Sequence, residues 1–459
     1  MKRLRSIVFK NFISRQLTPI RTFVLSFALV IFTGAILLHL PFSASKNQLS
    51  FVNALFTSAS AVCVTGLTVI DIGKDLSTAG QIITMVLFQI GGLGIITFSL
   101  FFFGLMGRNI SFKGRDIIQS TFLHTPQRNF YLILKSVLLT TFVIESIGTL
   151  LLFIRFSQDF SLGQAFYHAL YNAVSAFNNC GYSLFSDNLM KYQGDIIVNL
   201  TIMGLIVFGG IGFVVHHEIV SKLENQRKKL SIHTKIVIIT TAILIFAGAL
   251  LFYFFEHDNA IKGLPLQTKI LVSFFQSITP RTAGFNTVDM GQLTNDSILV
   301  IIILMFIGAS PGSTGGGIKT TSTALLFLII WNRLKGSEEV NIFNRTIPRE
   351  ILTRTISIIF ASAFSVFIIT TMLLLAEKGI KTPLESRYLF IEYLFETVSA
   401  FGTVGLSMGA TPNLNNLQKI FITILMFAGR VGPLTLALSL TLSSIKHSII
   451  YAEETIMVG

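Results

Sequence analysis

Apolar residues run almost without interruption over 20–42, 131–153, 235–257 and 353–376, and again over 79–106, 196–220, 297–332 and 418–442. Several of these runs are near the roughly 20 residues that a bilayer core requires. Between the members of each pair lies a stretch with helical character that is too short and too polar to span. Such a stretch is expected to enter the membrane and turn back.

Those four stretches resemble one another. They read FVNALFTSASAVCVTGLT (51–68), FYHALYNAVSAFNNCGYS (166–183), KILVSFFQSITPRTAGFN (269–286) and FIEYLFETVSAFGTVGLS (390–407), and they align without gaps. An aromatic residue, Phe56, Tyr171, Phe274 or Phe395, stands ten positions before a glycine, Gly66, Gly181, Gly284 or Gly405. The repeat is therefore span, re-entrant helix, glycine loop, span, with a period of about 110 residues. The predicted fold is an all-α polytopic membrane protein with eight transmembrane helices and four pore helices in a pseudo-fourfold arrangement around one pore. Its units are 1–115, 116–222, 223–336 and 337–459.

Non-helical backbone at membrane depth is tolerated only where it is buried in protein or lines a water-filled cavity. Four equivalent loops meeting on an axis would present backbone carbonyls to the centre, with the negative C-terminal ends of the short helices aimed at it. Such a ring can replace the water shell of an alkali cation. Glycine turns successive carbonyls inward without a Cβ clash. The candidate filter residues are Val64, Thr65 and Gly66; Asn179, Cys180 and Gly181; Thr282, Ala283 and Gly284; and Thr403, Val404 and Gly405, with an alkali cation at the glycines.

Composition agrees with this plan. Of 459 residues, 52% are hydrophobic and 12% charged, whereas soluble domains carry about 25% charged residues. The net charge of +13 would suit nucleic acid, but its distribution argues for orientation instead. Lys2, Arg3, Arg5, Lys10, Arg15 and Arg21 precede the first run, and further clusters lie in 107–135, 221–235 and 333–354. The opposite segments hold Asp71, Asp75, Asp159, Asp187, Asp195, Asp289 and Asp296. This positive-inside pattern places both termini in the cytoplasm. The first run is too long for a signal-peptide core and reads as a retained span.

The third unit contains "FIGASPGSTGGGIKTTS", 306–322. Its Gly-Ile-Lys-Thr approaches a phosphate loop, but Ile318 and Ser313 occupy the required glycine positions and the flanks are apolar, so the nucleotide reading fails. Gly312, Gly315, Gly316 and Gly317 each weaken helix by roughly 1 kcal/mol, and Pro311 breaks it. The other three second spans read as continuous helices. The candidate gate is thus Gly308, Ala309, Ser310, Pro311, Gly312, Ser313, Thr314, Gly315, Gly316, Gly317 and Lys319, an unwound flap inside the filter. Arg430 in "FAGRVGP" joins it, since a mid-span charge costs about 2.5–3.5 kcal/mol or more. It raises the barrier to cations, holds the glycine run, or pairs with Glu145.

The motifs VTGLT, NNCGYS, RTAGFNT and GTVGLS, in this order and spacing, resemble the Trk/Ktr/HKT superfamily of potassium transporters, and the chain is similar to its compact KtrB-type branch. The resemblance implies potassium uptake with sodium as a possible activator. It also implies a homodimer with one pore per protomer, and a cytoplasmic KtrA/KtrC-type ring that binds ATP or ADP. It implies further that Gly66 belongs to the potassium-selective class, that the loop and Arg430 sit where the family has its gate, and that the protein is multi-pass in a bacterial plasma membrane.

No covalent cofactor is expected, and no Ser-His-Asp, metal-ligand or paired-carboxylate constellation points to an enzyme. The alternative is a proton- or sodium-coupled secondary transporter, kept open by Glu145, Glu392 and Glu396. Arg281 either braces the third loop or is an outer-mouth surface charge. Lys319 reaches the inner aqueous phase, Cys63 and Cys180 are packing residues, and His216, His217 and Glu218 mark a cytoplasmic helix end or docking surface.

Overall fold

The computed structural model describes residues 19–105, 130–224, 226–227, 229–377 and 382–440. The basic N-terminal cluster before Arg21, most of the 107–135 cluster and the C-terminal tail lie outside the described residues, and with them the ends whose cytoplasmic placement was expected.

Each unit opens with a long helix: α1 Pro19–His39, α4 Phe130–Phe156, α8 Ile232–Glu256 and α12 Arg349–Leu375. A shorter helix follows: α2 Phe51–Val62, α5 Leu162–Phe177, α9 Leu266–Ile278 and α13 Pro383–Gly402. The units close with α3 Thr78–Leu105, with α6 Ile196–Ile211 and α7 Phe213–Glu224, with α10 Asn295–Phe306 and α11 Thr320–Leu334, and with α14 Asn416–Val431 and α15 Pro433–Leu440. Among the described residues, Ser136–Phe156, Ile232–Glu256 and Arg349–Leu375 are long and apolar enough to cross a membrane alone, and α6 with α7 qualifies as a bent pair.

Local chemistry sets the helix starts. Ser50, Ser231 and Thr294 accept from the backbone N–H of the third helical residue, and Thr382 and Asn415 form capping boxes with Glu385 and Gln418. Asp195 caps α6, which accounts locally for one of the acids between the runs. It also accepts from Arg155 at the end of α4, so the cap and an ion pair tie the two helices together.

The last turn of each short helix is buried. Phe56, Tyr171, Phe275 and Phe395 have no exposed surface. The aromatic of the third window is therefore Phe275 rather than Phe274. The buried aromatic of that helix stands one residue closer to its glycine than those of its siblings do, so a gap-free alignment misplaces its inner face.

The expected contrast between three continuous second spans and one broken one is also corrected. Gly94 has φ 71° within α3, Gly212 separates α6 from α7 at φ 103°, and Gly432 separates α14 from α15 at φ 94°. The α6–α7 pair is bent by 98°. Hydropathy cannot register a single left-handed glycine, and this is why the apolar runs looked unbroken. The signal was the repeated spacing GGLG (91–94), GGIG (209–212) and GRVG (429–432).

The first glycine of each motif has a separate job. A Cβ on Gly91, Gly209 or Gly429 would fall on the carbonyl of Val62, Phe177 or Phe401 at the end of the neighbouring short helix. Gly209→Ala is expected to cost about 1–3 kcal/mol of stability, read as a lower thermal midpoint in detergent. Gly204→Ala, on the same helix with nothing within 4 Å of the added methyl group, should leave that midpoint unchanged. Equal behaviour of the two variants would remove the close-packing argument.

Candidate ion path

The four short helices end at loops whose backbones share one pattern. Val64, Asn179, Thr282 and Thr403 have φ between 51° and 76°, and two residues later Gly66, Gly181, Gly284 and Gly405 have φ between 75° and 93°. Paired left-handed residues alternate the direction of the intervening carbonyls. The first of each pair is not glycine, and for β-branched Val64, Thr282 and Thr403 this conformation is strained by roughly 1–3 kcal/mol. Sequence reasoning placed these residues in the filter but assigned the turn to glycine alone, because no residue type marks a left-handed position here.

Hydrogen bonds hold the loops in that shape. Thr65, Cys180 and Val404 donate their backbone N–H to the carbonyls of Ser60, Ser175 and Ser399 at 2.7, 2.8 and 2.8 Å. Gly66 and Gly405 donate to the Ser60 and Ser399 hydroxyls at 3.1 and 3.0 Å. In the third loop Ala283 donates to Thr279 O at 2.9 Å, one residue closer in sequence. Glu396, fully buried in α13, accepts from Ser407 Oγ and Thr411 Oγ1 at 2.5 Å each and from Met408 N at 3.2 Å. It thereby anchors the chain just beyond Gly405.

The glycines come together as a closed ring. A Cβ on Gly66 would strike Cys180 O. One on Gly181 would lie 2.5 Å from Ala283 O, one on Gly284 would strike Val404 O, and one on Gly405 would strike Thr65 O. Each loop thus packs its glycine against the carbonyl before a neighbouring glycine. All twelve predicted residues lie in these four loops, and all except Gly405 are buried to solvent in the chain or nearly so.

The predicted gate residues lie against this ring. A Cβ on Gly315 would collide with Thr282 Oγ1, and one on Gly316 with Thr403 Oγ1. Thr314 donates its N–H to Gly209 O at 3.2 Å and its hydroxyl to Phe177 O at 3.1 Å. Ser310 N bonds Gly210 O at 3.0 Å, and Gly312 O accepts from Phe213 N at 2.9 Å. Ser313 Oγ turns back to Ser310 O at 2.6 Å. Pro311 faces the hinge, since a Cβ on Gly212 would lie 2.7 Å from its carbonyl. The base is closed by an Ile307–Ile318 bridge, by Thr320 N to Ala309 O at 3.2 Å and by the Ser310 and Thr320 hydroxyls at 3.0 Å. Gly308 and Gly317 sit where these strands of loop meet, Gly317 with φ 65°.

Two cations hold the loop, in different ways. Arg430, 5% exposed, donates from Nη1 to Thr314 O and from Nη2 to Gly91 O, spanning the loop and the end of the first unit. Among the described residues no ion pair joins it to Glu145, so of the three readings the hold on the glycine run is the one the geometry gives. Lys319 is half-buried, and its Nζ folds back onto Gly315 O at 2.8 Å and Gly316 O at 3.4 Å. The ammonium finds its acceptors in the carbonyls that the unwound backbone frees.

The reading of Arg281 is corrected. It is 6% exposed and so not a surface charge, and its side chain donates to Thr241 O at 3.5 Å and Thr241 Oγ1 at 3.4 Å in α8. Cys63 and Cys180 are buried free thiols. His216 meets Phe208 O at 2.7 Å while His217 is exposed, and Glu218 accepts from Ser231 N at 3.0 Å, joining α7 to α8. Among the described residues no group of three or more His, Cys, Asp or Glu could hold a metal ion.

Comparison with known proteins gives these features a context. The profile of the TrkH family, described as a cation transport protein, matches residues 16–447. Ktr system potassium uptake protein B of Bacillus subtilis is 38% identical over 447 residues, covering 97% of each chain. Potassium/sodium uptake protein NtpJ of Enterococcus hirae is 34% identical over 458 residues, covering 98% of this chain and 100% of that one. The crystal structure of the potassium transporter TrkH from Vibrio parahaemolyticus is alike in fold, with a TM-score of 0.71 at 18% identity over 91% of this chain and 83% of that one.

Proposed function

The chain belongs to the TrkH family of cation transport proteins, which are transporters and not enzymes, and from that premise we propose that it is the potassium-translocating subunit of a bacterial uptake system. In this reading eight transmembrane helices and four pore helices surround one pore, in repeats bounded at 115, 222 and 336. The loops at Gly66, Gly181, Gly284 and Gly405 form the selectivity filter, and 308–319 with Arg430 forms the gate. The observation that carries the reading is the closed ring of glycines with Gly315 and Gly316 seated against two of its loops. Chain carbonyls from four sides can replace a hydration shell, and a loop filling the space at the ring obstructs passage until it moves.

Two copies would form a homodimer in the plasma membrane with both termini cytoplasmic. A KtrA/KtrC-type nucleotide-binding ring would act on the gate from that side, with ATP or ADP on the partner. The names of the similar proteins support potassium as cargo, with sodium as possible activator. The deciding measurement is flux of potassium, rubidium and sodium into liposomes, with and without a regulatory ring. Selective flux that follows voltage and ignores a pH gradient is expected. Equal flux of all three ions, or flux driven by protons, would overturn the reading.

Arg430→Ala tests the gate. It leaves Thr314 O and Gly91 O without their donor, a loss of about 1–3 kcal/mol for each buried group left unpaired. Resting potassium flux should rise several-fold at unchanged folded yield. Arg430→Lys should not restore closure, because one ammonium lacks the fork that reaches both carbonyls. A fall in flux that tracks lost folded protein would instead make Arg430 a structural residue.

A further inference from the structure

A polar cluster lies away from the ring, where α4, α3 and α5 meet. Glu145 stands mid-way along α4, half-buried, one turn from Phe142, which is 70% exposed, on a helix that also exposes Leu150 at 58%. In a bilayer those residues face hydrocarbon, so water cannot solvate the carboxylate from that side. Its partners are neutral amides: Asn178 Nδ2 at 3.0 Å and Gln89 Nε2 at 3.3 Å. No ion pair among the described residues includes it.

Its position adds to the imbalance. Asn178 is the C-cap of α5, and a helix C-terminus carries partial negative charge, where a cation and not a carboxylate is stabilising. Asn178 Nδ2 sits among three oxygens: Gln89 Oε1 at 2.6 Å, Val174 O at 2.8 Å and Glu145 Oε1 at 3.0 Å. One amide group has two hydrogens for these three acceptors. Asn178 is 0% exposed, and its own Oδ1 has no partner. A Cβ on Gly92 would fall on that oxygen, so only glycine there leaves the side chain its place.

A carboxylate, two amide oxygens and a helix-terminal carbonyl, with no ion pair among the described residues to balance the charge, make an oxygen-rich cage of the type that hard cations, alkali ions among them, prefer. We propose that Glu145, Gln89, Asn178 and Val174 O form a binding site for one monovalent alkali cation, separate from the glycine ring. When the ion enters, the Asn178 amide turns its unpartnered Oδ1 inward and yields the centre of the cage. Asn178 immediately precedes Asn179 in the second loop, so occupancy of the cage sets how firmly that loop is held. The site rests on the membrane placement of the chain and does not require the ring to be the filter.

The test uses purified full-length protein in detergent, comparing thermal midpoints in sodium, potassium and choline chloride at equal ionic strength. Wild type should show saturable stabilisation by sodium or by potassium over choline, and the arm with the lower half-saturating concentration identifies the ion. Glu145→Gln, which keeps the shape and removes the charge, should remove one saturable component. Gln89→Met, which removes one cage oxygen and keeps the charge, should raise the half-saturating concentration about tenfold. The second variant keeps the proposal testable if the first does not fold. An unchanged salt response in either folded variant overturns the proposal. So does a midpoint that follows pH and ignores the identity of the cation, since a proton then neutralises Glu145. Selective liposome flux by Glu145→Gln would leave the translocation reading standing while the cage fails.

Discussion

Gly66→Asp is expected to abolish potassium selectivity and to lower potassium uptake by at least about tenfold. Gly66 has φ 90°, a region that costs an L-residue with a Cβ roughly 1–2 kcal/mol. The added atom would also fall on Cys180 O, with Gly405 Cα 3.4 Å away. The loop therefore cannot accept the side chain without moving a carbonyl of the neighbouring loop, and one shifted carbonyl alters the whole ring. Because about 1.4 kcal/mol is a factor of ten, strain and displacement together suffice. Competition between potassium, rubidium and sodium in liposomes measures the effect. Wild-type discrimination by a well-folded Gly66→Asp protein would mean that the ring does not select ions.

Deleting 312–316 is the second large-effect experiment, with resting potassium flux expected to rise by about tenfold or more. The deletion removes the bonds of Gly312 O to Phe213 N and of Thr314 to Gly209 O and Phe177 O, along with the Thr314 carbonyl held by Arg430. Net contributions of about 0.5–1.5 kcal/mol per hydrogen bond make the loss of even two enough for that change. It also removes Gly315 and Gly316, the residues lying against Thr282 and Thr403. Ion efflux from potassium-loaded vesicles without a regulatory ring is the direct measurement. An unchanged resting flux would mean that the loop does not obstruct the path.

The two experiments probe parts of the chain that were legible to different degrees. The glycines were visible because no other residue serves a left-handed position against a neighbouring backbone. The break in the third unit was visible because five glycines and a proline stand in an apolar run. Val64, Asn179, Thr282 and Thr403 were not legible as turn residues. Their positive φ values arise from the ring closing around them, and the residue types themselves prefer other conformations.

Pattern and composition by themselves determined the membrane character and the glycine loops, and predicted four span–helix–loop–span units. Each depends on the side chain's own transfer energy or on its allowed backbone angles. Tertiary structure decided which groups meet. Contact between units settled that Arg430 holds Thr314, 116 residues away in sequence, and Gly91, 339 residues away, rather than Glu145. The same packing put Phe275 in place of Phe274 and broke the second helices at Gly94, Gly212 and Gly432. It also left Glu145 among neutral amides at the end of α5. Partners of a buried charge are chosen by geometry in three dimensions, and no local run of residues encodes them.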